Sequence, residues 1–91
     1  MKDLTRHQKV LPKIRPFVPN HNVISTAYGQ YFTSYESTVV FKPNDSRITY
    51  LGLGWDYSRT TVKYVCQYLN MTPAELRKGL ESDDFEIMRS L

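Results

Sequence analysis

A single thiol, two imidazoles and a pair of closely spaced glycines are the groups from which this chain could build a reaction. Cys66 is the natural nucleophile for covalent chemistry, but a cysteine acts as thiolate only beside a base or cation. It falls instead within an apolar stripe, where a free cysteine serves as a small packed hydrophobe. His7 and His21 are the candidate bases or metal ligands. Neither has a cysteine or carboxylate at ligand spacing, and a metal site needs three or four converging groups. Gly52-Leu53-Gly54 supplies two of the three glycines of a dinucleotide-binding loop, but Tyr57 stands where the third belongs and no parallel βαβ unit frames it. The glycines read as a bend from strand into helix. Asp83, Asp84 and Glu86 gather acids at an expected helix start, which the helix macrodipole explains without chemistry. Base, nucleophile and orienter do not assemble, so the expectation is a protein that is not an enzyme, with no cofactor and no metal.

Two segments have the residue types for recognition. In Trp55-Asp56-Tyr57-Ser58-Arg59-Thr60-Thr61 an indole, a phenol, an acid, a guanidinium and three hydroxyls stand together at a strand-to-helix junction. Wedging by the aromatics and capping by Ser58 account for much of this composition. As a surface it would be a protein-binding one, because Trp, Tyr and Arg dominate binding hot spots. Trp55, Tyr57 and Arg59, with Tyr35 from the sheet, are the candidate partner-binding residues. The second segment is the helix pair over residues 61–80, which has the outline of a helix-turn-helix with Asn70 at the turn. Its second helix would offer Arg77 and Lys78 to a DNA groove. Against that, Gly79 falls where a packed apolar residue belongs, and Glu75 and Glu81 repel phosphate.

The elements that must position these residues are legible in outline. Ninety-one residues allow one domain with one core, and 41% hydrophobic and 13% aromatic residues are enough to fill it. With one cysteine there is no intramolecular disulfide, and no apolar run reaches the length of a membrane span. An intracellular, cytoplasmic protein that does not enter the membrane is expected. Net charge is +3 but uneven: residues 1–15 hold Lys2, Arg6, Lys9, Lys13 and Arg15 against Asp3 alone. With Pro12, Pro16 and Pro19, residues 1–22 read as an extended basic arm laid over the domain, pinned by Leu11, Ile14, Phe17 and Val18. Lys9, Lys13 and Arg15 would join Arg77 and Lys78 in any contact with nucleic acid.

Residues 23–91 form the expected domain. Val23–Tyr28, Tyr31–Tyr35, Thr38–Phe41 and Arg47–Leu51 read as strands, with turns at Gly29-Gln30 and at Pro43-Asn44-Asp45-Ser46. Ser58 caps a helix whose Val62, Val65, Cys66 and Leu69 make one apolar stripe, and Tyr57 with Val62 has the spacing of a hydrophobic staple. Thr72-Pro73-Ala74-Glu75 is a capping box with proline at the first helical position. Asp83-Asp84-Phe85-Glu86 would open a last short helix. The fold class is α+β: an antiparallel β-meander of three to four strands followed by two or three helices on one face.

Phe32-Thr33-Ser34-Tyr35-Glu36-Ser37, running into Val39 and Val40, precedes Trp55-Asp56-Tyr57-Ser58-Arg59-Thr60-Thr61 and then Tyr68-Leu69. The two stretches resemble a group of small uncharacterised bacteriophage and prophage proteins with an F-x-S-Y-x-S strand and a W-D-Y-S-x-T-T motif. The resemblance covers roughly residues 31–70, with Glu36 where the pattern has Asp. It implies a phage-type origin and lends no mechanism. Taken with the missing catalytic groups, it leads to the expectation of an accessory protein that binds a protein partner in a bacterial host cell. DNA binding through residues 61–80 and the basic arm is the alternative, and monomer and homodimer both stay open.

Overall fold

A computed structural model describes residues 13–91 of the chain. Six strands form one sheet in sequence order: β1 (Lys13–Val18), β2 (His21–Ser25), β3 (Gly29–Ser34), β4 (Ser37–Pro43), β5 (Thr49–Leu51) and β6 (Phe85–Ile87). The first five make an antiparallel meander, because short turns leave each strand no neighbour but the preceding one. Between β5 and β6 the chain crosses over through α1 (Arg59–Leu69) and α2 (Pro73–Glu81), so β6 lies parallel to β5.

The expected α+β class holds, with the sheet larger than expected. Part of the supposed arm is β1, paired with β2, and the expected boundary at residue 22 falls inside β2. The prolines rule out a long helix there and leave an extended strand open. Pro16 is accommodated because β1 is an edge strand among the described residues, where a missing N–H breaks no ladder. Lys9 and Leu11 lie outside the described residues. The expected turn at Gly29-Gln30 sits two residues earlier, at Ala27-Tyr28, where Thr26 Oγ1 caps the bend and Thr26 N–H donates to the Gly29 carbonyl at 2.8 Å.

The expected third helix at Asp83 is instead the strand β6. Asp83 takes a left-handed φ of 65°, which turns the chain out of α2. The free edge of β5 then captures it: Thr49 N–H donates to the Asp84 carbonyl at 3.2 Å, and Met88 N–H to the Leu51 carbonyl at 2.8 Å. Phe85 enters the core over Gly79, whose missing side chain leaves room for the ring. The absent apolar residue at position 79 is thus supplied from β6.

The core follows one row across the sheet. Val23, Phe32, Val40 and Leu51 are register partners on β2 to β5, and all four are buried. Alternation along the strands puts Ile24, Tyr31, Phe41 and Tyr50 on the other face, where Tyr31 stacks on Phe41 at 4.4 Å and Phe41 on Tyr50 at 6.2 Å. α1 lies over β3: Tyr68 stacks on Phe32 at 4.6 Å, and Phe17 meets both rings edge-on. The stripe of α1 is as expected, with Val65 and Cys66 buried and Val62 and Leu69 packed against the core. The capping box of α2 is fully formed, Glu75 N–H donating to Thr72 Oγ1 at 3.2 Å and Thr72 N–H to Glu75 Oε1 at 2.9 Å. Donation from the Thr72 N–H, and secondarily from the Thr72 hydroxyl, holds the Glu75 carboxyl below its usual range.

A Gly→Ala change inside a helix ordinarily gains about 1 kcal/mol. At Gly79 the new methyl would collide with the Phe85 ring, and overpacking costs about 1–3 kcal/mol. Gly79→Ala is therefore expected to lower the unfolding free energy in urea. A midpoint raised by the full helix-propensity gain would mean that Phe85 does not occupy this position.

Candidate functional site

The turn between β3 and β4 faces the first turn of α1, and between them lies a cleft of about 520 Å³. Ser34, Tyr35 and Ser37 line it from the sheet, and Tyr57, Ser58, Thr60 and Thr61 from the helix start. The two sequence motifs, separate in the chain, thus make two walls of one site. Val39 and Gly54 complete the wall, and His21 stands with them.

Local sequence builds each wall. Ser58 caps α1, its Oγ accepting from Thr61 N–H at 3.1 Å and lying 3.0 Å from Thr61 Oγ1. Tyr57, just before the cap, is 86% exposed, so the expected staple with Val62 does not form. Gly52 explains the glycine pair without a nucleotide: its N–H donates to the Val39 carbonyl at 2.9 Å, and a Cβ there would strike the Thr38 carbonyl. The opposite wall is held by two left-handed residues, Asn20 (φ 67°) and Tyr35 (φ 57°), with Tyr35 N–H donating to the Asn20 carbonyl at 2.6 Å. Asparagine adopts this conformation readily; for a large aromatic residue it is strained.

His21, considered from the sequence only as a base or metal ligand, is the cleft residue whose place the sequence did not reveal. It is 3% exposed, with Tyr64 at 4.8 Å, Tyr35 at 5.8 Å and Phe32 at 5.9 Å around its ring. Its Nδ1 lies 2.9 Å from the Pro19 carbonyl, which only accepts, so this nitrogen carries the proton. Nε2 then accepts from the Ser34 hydroxyl at 3.0 Å. The cross-strand pairing of His21 with Ser34 could have flagged this contact once the register of β2 and β3 was known. The orienting group on Nδ1 is a backbone carbonyl, and three aromatic rings wedge the imidazole. The arrangement positions the floor of the cleft and satisfies a buried ring.

The candidate residues separate. Tyr35 and Tyr57 meet at the cleft, with Tyr35 68% exposed. Arg59 lies in a neighbouring groove with Asp56, Lys63, Cys66 and Arg77. Trp55 is buried in the core, with the Arg77 guanidinium 5.9 Å above its ring. Burial pushes the Cys66 thiol up, disfavouring a thiolate, against a smaller downward pull from Arg77. Among the described residues no group of three or more His, Cys, Asp or Glu is placed to hold a metal ion. No described helix is long and apolar enough to cross a membrane.

Among the described residues, the candidate DNA-binding residues stand at opposite edges of the sheet. Arg77 and Lys78 are on α2, which packs on β6 at one edge of the sheet, whereas Lys13 and Arg15 are on β1 at the other. Five strand spacings, about 24 Å, separate those edges.

Ser34→Ala would leave His21 Nε2 buried without its donor, a loss of about 1–3 kcal/mol. Ser37→Ala, at an exposed position on the same turn, is expected to change stability by less than about 0.5 kcal/mol. Urea denaturation of the two variants side by side measures the difference, and equal midpoints would exclude the His21–Ser34 bond.

No curated protein and no solved structure matches the chain. A family model, described as a family of unknown function, matches residues 5–86, which takes in every residue that lines the cleft. The chain belongs to this family, DUF8033.

Proposed function

We propose that the protein acts by binding, without catalysis, and that its partner is a protein, a segment of which enters the cleft between Tyr35 and Tyr57. The observation that supports this reading is the convergence of the two motifs on one cleft, flanked by two tyrosines whose rings are largely exposed. A tyrosine left in water buries nothing for the fold, but on binding it offers a large rigid surface at small entropic cost. Among the described residues the lining holds no Asp, Glu, Lys or Arg, so an uncharged segment of the ligand suits it. Ser37, Ser58 and Thr60 present hydroxyls that donate and accept, matching the amide and carbonyl of a peptide backbone. The resemblance to phage and prophage proteins supports reading this chain as an accessory protein that works in the cytoplasm of a bacterial host.

The strained backbone at Tyr35 gives the test a particular signature. Asparagine in place of tyrosine relieves a conformation that costs about 1–2 kcal/mol for bulky residues, while removing one wall. Tyr35→Asn is expected to match or exceed the parent in thermal stability, and Tyr35→Asn/Tyr57→Ala to lose about tenfold or more in affinity for a partner captured from bacterial lysate. Equal capture by the parent and the double variant would overturn the reading.

A further inference from the structure

The opposite end of β3 and β4 carries a different chemistry. Lys13, Ser25, Gln30 and Lys42 are consecutive register partners across β1, β2, β3 and β4. They lie on the face that α1 covers, because Lys42 Nζ sits 5.2 Å above the ring of Tyr68 and the Tyr68 hydroxyl donates to Gln30 Oε1. Arg15, two residues on from Lys13, shares that face, and its charge is felt at the Tyr68 phenol. Burial pushes that phenol up to about 12, so it stays a neutral donor and adds no negative charge to the row. Lys13, Arg15 and Lys42 are all exposed. Lys13 and Lys42 are separated by three strand spacings, about 14 Å, with a hydroxyl and an amide between them.

Tyr28 lies on the turn joining Ser25 to Gly29, at the end of the sheet where the row runs and between its two middle strands, and is 77% exposed. The turn is held firmly. Tyr28 N–H donates to Thr26 Oγ1 at 3.1 Å, Asn44 N–H to the Tyr28 carbonyl at 3.0 Å, and Asn44 Nδ2 to the Ala27 carbonyl at 3.0 Å. The ring is therefore presented to solvent on a braced loop, with cations on either side. Asp45, on the next turn, is the acid nearest in sequence to the patch.

We infer that this face binds single-stranded nucleic acid, with Lys13, Arg15 and Lys42 on the phosphates and a base stacked on Tyr28. Cations that track a backbone, combined with an aromatic ring that any base can cover, are the components of sequence-tolerant single-strand binding. A duplex would meet the cations but would leave Tyr28 without a free base. An anionic bilayer would need an apolar anchor, and the row offers lysine, serine, glutamine and lysine. The site is independent of the Tyr35–Tyr57 cleft and lies at the other end of α1.

The test is fluorescence anisotropy with a labelled twenty-nucleotide oligothymidine at about 50 and 200 mM salt. Three phosphate contacts on a single strand predict an affinity that falls about 20-fold across that range. Tyr28→Ala is expected to weaken binding by on the order of tenfold without changing the salt dependence. Lys13→Gln/Lys42→Gln should weaken binding and flatten the salt dependence, and Tyr35→Asn/Tyr57→Ala should leave it unchanged. Circular dichroism establishes that each variant is folded. No binding at 50 mM salt would overturn the inference. So would tighter binding to a duplex, binding to phosphatidylglycerol vesicles in place of the oligonucleotide, or binding that the Tyr28 and lysine variants do not alter.

Discussion

The seating of α1 on Phe32 is the contact on which the rest of the structure depends. Phe32 is fully buried at the centre of β3, and Tyr68 lies flat on it at 4.6 Å with the planes 7° apart. Phe17 closes one side edge-on at 5.2 Å, and His21 lies at 5.9 Å. Rings of this size bury roughly 150–250 Å² each, and a single arrangement of them fixes a helix in both translation and rotation. With eleven residues, α1 is about 16 Å long, close to the run of β3 from Gln30 to Ser34 at about 3.4 Å per residue. One helix end is thereby set against the Ser34–Ser37 turn and the other against Gln30 and Lys42. Both surfaces discussed above are consequences of that one placement.

A second constraint locks the far edge of the sheet. Phe85 needs space in the core, Gly79 provides it, and the strand that carries Phe85 pairs with β5. The wedge holds α2 against β6, which in turn holds Arg77 over Trp55. The indole that the sequence offered as a binding residue is thus committed to the core, and Arg77 covers it. Tyr57, two residues later, is free of the core because Ser58 begins the helix and turns the chain outward.

Features that depend on near neighbours in the chain were legible from the residues. Ser58 and Thr72 cap their helices through bonds three residues long, and the 3.6-residue stripe of α1 faces the sheet as its spacing requires. Features decided by distant partners were not. Pro16 is compatible with a strand only at an edge, and β1 becomes an edge only once the full strand order exists. Asp83-Asp84 opens a strand because β5 has a vacant side and Gly79 a vacant space, neither of which is visible locally. His21 looked solitary because its partners, Ser34 and Tyr64, come from a neighbouring strand and from α1. The candidate site was half legible for the same reason. Its two motifs could be named, but their convergence follows from the register of β2 to β4 and from the Phe32–Tyr68 stack.

The claim that the two motifs enclose one cleft is tested most directly by proton NOEs from the His21 ring in the folded protein. The account predicts cross-peaks to the rings of Tyr64, at a centroid distance of 4.8 Å, and of Tyr35, at 5.8 Å. The first ties β2 to α1 and the second ties it to the β3–β4 turn. A His21 ring with no NOE to Tyr64 would place the start of α1 away from Ser34, and the cleft described here would not exist.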